Sequence, residues 1–255
     1  TGKNPIQVAE RLFQVIECLA ENGPMGIMDL SAQLGFHKST THRLVTSLQY
    51  MGYIRQDEES LKYALSLKFL EIGGKILEQT NMASLVHPSL KKLSEQTGET
   101  VHLVRREGTE AVYIDKVEST VSSIRMVSRV GSRIPLYCSG VGKALLAELP
   151  DPEIEDIWNS SEITSLTPYT VTSLSDLMDR IRGVREAGYA MDDEENEEGV
   201  RCIAVSIPDY HKEPVYALSI SAPVSRMTDA RIAELSTDVL TFKKDLEKTL
   251  GFSRS

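Results

Sequence analysis

The chain of 255 residues has little cysteine: three thiols lie far apart, and none forms a Cys-x-x-Cys pair. This spacing argues against a disulfide framework or a zinc knuckle and fits a reducing compartment. No apolar run approaches the ~20 residues of a membrane-spanning helix, and no signal peptide is recognisable after Thr1. We therefore expect a cytoplasmic protein with no membrane partner.

Positive charge is also scarce, with 28 Lys+Arg against 37 Asp+Glu and a formal net charge of −9. Residues 1–80 hold 8 of these cations and 9 of the acids, which leaves 20 against 28 for residues 81–255. This balance argues against a strong non-specific nucleic-acid binder. The near-neutral N-terminal part can still bind DNA if its cations cluster on one face and two copies act on one site.

Residues 27–54 contain two short amphipathic runs with a tight turn between them. Gly35 can end the first helix because glycine tolerates a positive φ. The second run restarts after it with three apolar residues at helical spacing, which we place inward: Leu44, Leu48 and Met51. This pattern predicts a helix-turn-helix.

The opposite face of the second helix is small, polar and partly cationic, with Ser39, His42, Arg43 and Thr46 at i, i+3, i+4 and i+7. Such a face suits base edges in the major groove. An ordinary exposed helix surface, which is polar anyway, is the alternative. Three further residues of this helix are also predicted to contact DNA. Lys38 and Thr40 are expected to contact phosphate, and Thr41 is the third.

A β-hairpin is predicted after this helix, with strands over 52–56 and 61–65 and an acidic turn between them. Arg55 and Lys62 flank the tip and are expected to contact DNA, whereas the acidic tip is repelled by phosphate. A helical stripe of apolar residues precedes the motif, so residues 1–65 read as a winged helix-turn-helix. Residues 66–82 form a linker helix whose narrow apolar stripe, Leu67 to Leu77, favours pairing with one partner helix.

Residues 83–255 alternate strands and helices. A hairpin is predicted over 101–114, further strands over 121–130, 203–208 and 216–222, and helices over 142–149, 176–187 and 232–250. No βαβ phosphate fingerprint is present. The fold class is therefore α+β, with an antiparallel sheet in the second domain.

Catalytic motifs fail on inspection. Gly142-Lys143 resembles the end of a Walker A loop, but Ala144 replaces the required hydroxyl residue. The acidic run 192–198 lacks the ligand pattern of a calcium loop and reads as a solvated loop. No cofactor, metal or enzymatic activity is expected.

A binding site is suggested instead. The segment 139–142 leads into a helix, where free backbone N–H groups can receive a carboxylate. Ser219 and Ser221 project from one face of a strand and can hydrogen-bond an oxo acid. The alternative is that both serine hydroxyls hydrogen-bond to neighbouring protein groups and bind no ligand.

Four separated segments together resemble the IclR family of bacterial transcriptional regulators: KSTTHRLVTSLQYMGYI, PLYCSGVGKALLAELP, DDEE…EGVRCIAV and ALSISAP. Within it, three segments are most similar to the KdgR group, which senses 2-keto-3-deoxygluconate: ESLKYALSLKFLEIG, RMVSRVGSRIPLY and EENEEGVRCIAV. The resemblance implies a winged head, a linker helix and a GAF-like effector domain, assembled as a homodimer or a tetramer. It also implies that the partners are a pseudo-palindromic double-stranded operator and a 2-oxo acid.

The effector pocket of the family carries over onto seven positions here: Ile134, Gly140, Val141, Asp192, Cys202, Ser219 and Ser221. A ligand-responsive repressor is the function that this resemblance implies. A family member sensing a different organic or aromatic acid, a keto-sugar-acid enzyme, and a constitutive DNA-binding protein with a dimerising second domain are the alternatives.

Overall fold

The computed structural model describes residues 5–79, 81–119, 128–209 and 213–250, with the side chains of residues 76–79 left out. The chain divides into two compact units, Thr1–Thr80 and Asn81–Ser255. No described helix is long and apolar enough to cross a membrane.

The N-terminal unit is a winged helix-turn-helix, as predicted. Its elements in chain order are α1 (Gln7–Asn22), α2 (Ile27–Leu34), α3 (Lys38–Tyr50), β1 (Ile54–Gln56), β2 (Tyr63–Leu65) and α4 (Lys68–Gln79). Gly35 ends α2 in the left-handed conformation, at φ 66°. The two short strands pair antiparallel and form the wing.

The inward face of α3 differs from the prediction at one position. Met51 caps the end of α3 and is exposed, so it does not belong to the core. Val45 takes its place, and the buried face of the helix consists of Thr41, Leu44, Val45 and Leu48. The difference arises because α3 ends at Tyr50, one residue before the last apolar position of the predicted stripe.

The C-terminal unit is built on a six-stranded antiparallel sheet of order β5-β4-β3-β8-β7-β6. The strands are β3 (Thr100–Glu107), β4 (Glu110–Val117), β5 (Arg133–Pro135), β6 (Ala190–Asp193), β7 (Val200–Ile207) and β8 (Tyr216–Pro223). The α+β fold class with an antiparallel sheet is confirmed. The strand predicted over 121–130 lies mostly outside the described residues.

Helices cover both faces of this sheet. One layer, packed over a core that includes Val104 and Ala217, contains α6 (Gly140–Ala147), α7 (Asp151–Asn159) and α8 (Leu174–Ala187). The other layer contains α5 (Met82–Thr97) and α9 (Asp229–Thr249) over a second core. Because side chains alternate along a strand, β8 sends Leu218 and Ile220 to the second core and Ser219 and Ser221 to the α6 side.

Candidate functional sites

The exposed face of α3 carries the predicted reading residues. Lys38, Ser39, His42, Arg43 and Thr46 are all exposed, and Thr40 is half-buried. Arg55 and Lys62 are exposed on the wing. Within the described residues, none of the cations among these positions forms an ion pair, so their charges remain available to phosphate.

Thr41 does not share this surface, although it was predicted as a DNA contact. Its side chain is fully buried, and its hydroxyl accepts a hydrogen bond of 2.9 Å from Ser31 Oγ. The buried bond joins α2 to α3 and fixes the angle at which the reading helix is presented. Thr41 is therefore a structural residue of the motif.

All seven predicted effector residues line one cavity of the C-terminal unit: Ile134, Gly140, Val141, Asp192, Cys202, Ser219 and Ser221. The sheet contributes the floor, and the start of α6 contributes one wall. The free space at the centre is about 30 Å³, which is room for about two water molecules. The cavity as built suits a compact polar ligand.

The start of α6 provides donors to this cavity. Ser139 caps the helix, since its hydroxyl accepts a hydrogen bond of 3.1 Å from the Gly142 N–H. The Gly140 and Val141 N–H groups make no hydrogen bond within the described part of the chain. Two unbonded N–H groups at the positive end of a helix favour a carboxylate there.

Asp192 supplies an acidic group on the other side of the cavity. Its Oδ1 accepts hydrogen bonds from the Glu195 and Asn196 N–H groups, at 2.8 and 3.4 Å. Burial raises the pKa of Asp192 to about 7, and the nearby Lys143 cation partly offsets this. At neutral pH this carboxyl group can therefore donate as well as accept a hydrogen bond.

Cys202 lies beside Asp192 as the paired residue of the neighbouring strand. Burial raises the pKa of its thiol, and the negative charge of Asp192 adds to the effect. The thiol stays protonated and acts as an apolar, polarizable wall.

The cavity has further lining residues whose side chains were not predicted as effector contacts: His102, Tyr113, Ser128, Ser139, Asn196, Glu197 and Val200. His102 is the most informative, as a polar residue in the apolar strand segment 101–104. Asn196 and Glu197 belong to the acidic run read as a solvated loop. That reading is wrong for Asp192 and Glu195, which are both buried.

The buried Glu195 forms an ion pair with Lys143 of α6, and each side chain is 1% exposed. Thr170 Oγ1 donates a hydrogen bond of 2.6 Å to the Glu195 carbonyl oxygen. These contacts fix the loop after β6 against α6. Since Asn196 and Glu197 follow directly, the ion pair holds part of the cavity wall in place.

A winged helix-turn-helix followed by a sheet domain that encloses a polar cavity defines a ligand-responsive DNA-binding regulator. Two family models match the chain: the IclR helix-turn-helix domain over residues 8–58, and the bacterial transcriptional regulator IclR C-terminal over residues 74–247. The chain belongs to the IclR family of bacterial transcriptional regulators, whose members are not enzymes.

Relatives span nearly the whole chain. The acetate operon repressor of Salmonella typhimurium is 36% identical over 98% of this chain and 92% of its own length. The regulator KdgR of Escherichia coli is 35% identical over 98% of this chain and 95% of its own length. The crystal structure of Thermotoga maritima IclR has a TM-score of 0.64 and 31% identity, covering 96% of this chain and 99% of that one. The similar identities to differently named regulators do not select one effector.

Proposed function

We propose that the protein is a cytoplasmic repressor that binds a small 2-oxo acid, with 2-keto-3-deoxygluconate as the first candidate, and that binding changes its affinity for operator DNA. Residues 1–65 act as the DNA-binding head, 66–82 as the linker helix and 83–255 as the sensing and oligomerising domain. One observation supports this proposal above all: the N–H groups of Gly140 and Val141 line the same cavity as the hydroxyl groups of Ser219 and Ser221.

The cavity has hydrogen-bond donors for the carboxylate and oxo oxygens of such a ligand and acceptors for its hydroxyl groups. The N–H groups of Gly140 and Val141 and the two serine hydroxyls can donate to the carboxylate and the oxo oxygen. Asp192 and Glu197 can accept hydrogen bonds from ligand hydroxyl groups. The resemblance to the KdgR group supports a sugar acid, and the name of the acetate operon repressor supports a repressor.

The small free volume of the cavity favours a second candidate ligand of the same chemical class. A two- or three-carbon oxo acid such as glyoxylate or pyruvate needs less displacement of side chains than a sugar acid does. Titration with all three acids ranks them, with an aromatic acid as the negative control. Heat from the aromatic acid alone would contradict the assignment of a polar, donor-rich site.

Removing the two serine hydroxyls is expected to abolish the ligand response and to spare DNA binding. In Ser219→Ala/Ser221→Ala a buried ligand oxygen loses its donors, which costs about 1–3 kcal/mol of binding free energy. Calorimetry measures the acid affinity, and a gel-shift titration measures operator affinity. Ser206→Ala is a matched control, because Ser206 is a buried serine of the neighbouring strand that contacts Glu148 outside the cavity. Equal acid affinity in the double variant and the wild type would remove the serines from the site.

Arg43→Ala is expected to weaken operator binding by about 1–3 kcal/mol if Arg43 pairs with a guanine edge. The residue is exposed on the reading face of α3 and has no ion-pair partner among the described residues. Gel-shift titrations against the operator and single-base variants measure both affinity and sequence preference. Lys75→Ala removes the same charge from α4, where Lys75 pairs with Glu71, and serves as the control. An unchanged preference in Arg43→Ala would assign the arginine to another role.

We further propose that the protein is at least a dimer on a pseudo-palindromic operator. One small, near-neutral head offers few contacts for the ~10⁻⁸ M affinity typical of specific regulators. Leu67 and Leu70, at the start of the linker helix, are 78% and 71% exposed in the single chain. Burial against the same helix of a second copy would remove this apolar surface from water.

Light scattering is expected to give at least twice the chain mass of 28.3 kDa. Leu67→Ser/Leu70→Ser should shift the mass toward the monomer and weaken operator binding. Leu166→Ser changes an exposed leucine of the other unit and should leave the mass unaltered. A wild-type monomer at micromolar concentration, with and without DNA, would refute the dimer.

A further inference from the structure

His102 lies at the centre of a buried hydroxyl cluster that borders the cavity. Its Nε2 is 2.7 Å from Ser128 Oγ, and its Nδ1 is 3.3 Å from Ser221 Oγ and 3.5 Å from Ser219 Oγ. Tyr113 packs against the edge of the ring, with centroids 5.1 Å apart. Both ring nitrogens therefore face hydroxyl groups, which can donate or accept a hydrogen bond.

The imidazole in this cluster is neutral. Burial, together with the Lys116 cation on the neighbouring strand, lowers the pKa of His102 to about 3. A neutral imidazole has one N–H donor and one bare nitrogen that accepts. Three hydroxyl groups therefore face one donor and one acceptor of the ring, and the tautomer decides the direction of the bonds to the ring. Ser219 Oγ and Ser221 Oγ are in addition 3.5 Å from each other.

The distances favour the tautomer with the proton on Nδ1. Two similar, long contacts from Nδ1 to two serine oxygens are typical of one N–H shared between two acceptors. The single short contact at Nε2 then has Ser128 Oγ–H as the donor. With Nδ1–H donating to both serines, the ring needs neither hydroxyl proton. One of them can donate across the 3.5 Å contact between Ser219 Oγ and Ser221 Oγ, and the other can point into the cavity. The opposite tautomer would draw at least one of those protons toward the ring.

We infer that His102 is a positioning residue: its Nδ1–H donates to Ser219 and Ser221, which lets the serine pair donate into the cavity and thereby selects ligands that present acceptor oxygens at this end. This inference rests on the proposed sensing function, and it names His102 as the residue that decides whether this end of the cavity donates or accepts hydrogen bonds. A ligand carboxylate there accepts a charge-assisted hydrogen bond from the serine pair, so a ligand that presents a neutral hydroxyl group in the same place would bind less tightly.

Two amide substitutions separate the roles of the two nitrogens. Asparagine places its amide group where the ring has Nδ1, so His102→Asn retains a donor to Ser219 and Ser221. Glutamine reaches the position of Nε2, so His102→Gln retains the Ser128 contact and loses that donor. Calorimetry with pyruvate and 2-keto-3-deoxygluconate should show near wild-type affinity for His102→Asn. His102→Gln should bind about tenfold more weakly, the effect of one lost hydrogen bond.

Nitrogen-15 NMR of the histidine-labelled full chain reads the tautomer directly, and the signal missing in His102→Asn assigns the resonance. The Nδ1–H pattern in the free protein is expected, with binding retained in His102→Asn. An Nε2–H pattern, or equal loss of affinity in both variants, would overturn the inference. If one variant fails to fold, the wild-type spectrum still decides. Absence of heat from both acids with the wild type would overturn the sensing function and the ligand selection built on it, whereas an Nε2–H spectrum alone would overturn only the role of His102.

Discussion

Lys143→Met is expected to destabilise the C-terminal unit by about 3–5 kcal/mol, because it leaves the buried Glu195 carboxylate without its partner. Arg180, 3.8 Å from Glu195 Oε1, is half-exposed and compensates only in part. Denaturant unfolding followed by tryptophan fluorescence measures the effect cleanly. The chain has a single tryptophan, Trp158, which packs against Tyr137 in this unit, so the signal reports on this unit alone.

Two comparisons distinguish loss of the ion pair from loss of packing. Lys91→Met breaks an exposed pair with Glu95 in the same unit and should cost at most about 0.5 kcal/mol. Lys143→Met/Glu195→Leu removes both buried charges and should recover much of the stability. A loss of equal size in the single and the double variant would assign the effect to packing.

Gly142→Ala is the second substitution with a large expected effect. A Cβ at this position would lie 2.1 Å from the Leu136 carbonyl oxygen and 2.3 Å from its Cα. Because these are backbone atoms, the segment 136–139 must move relative to α6. The cost should exceed the ~1–3 kcal/mol of ordinary overpacking. Effector binding should fall as well, since Gly140 and Val141 directly follow the displaced segment.

Gly183→Ala is the matched control for this prediction. Gly183 lies inside α8, and a Cβ there meets no atom within 4 Å. Alanine is the better helix former by about 1 kcal/mol, so the control should be neutral or stabilising. The same tryptophan fluorescence assay compares both variants. Equal stability of Gly142→Ala and the wild type would show that the loop before α6 adapts without strain.

The local elements of the fold could be predicted from the sequence because their signals are local. Gly35 ends α2, Gly108 turns the β3–β4 hairpin at φ 66°, and Gly188 ends α8. The alternation along β8 also predicted which face carries the serines. The three-residue strand β5 has too short a pattern to be recognised, and it exists because it pairs with β4 at the sheet edge.

The cavity was predictable only in part. The seven effector positions lie in segments that resemble the family and could be recognised from the sequence. His102 could not, because it reaches the cavity through the pairing of its strand with the strand of Ser219. Lys143 and Glu195 are 52 residues apart in the chain, and single lysines and glutamates in a sequence are expected at the surface. Thr41 failed as a DNA contact for the same reason: its partner, Ser31, lies on another helix. Tertiary partners, and not local pattern, decide these residues.

The pairing of β3 with β8 also bears on the order in which the two units form during synthesis. The contact between His102 and Ser219 joins positions 117 residues apart, whereas the unit that contains the head spans only the first 80 residues. Domains generally fold as units from the N-terminus as the chain emerges, and distant strand pairing is slow. A ribosome-bound chain therefore presents a folded DNA-binding head while its sensor is still incomplete. The effector can act only on chains whose β8 has left the ribosome, so newly made heads are for a time insensitive to it.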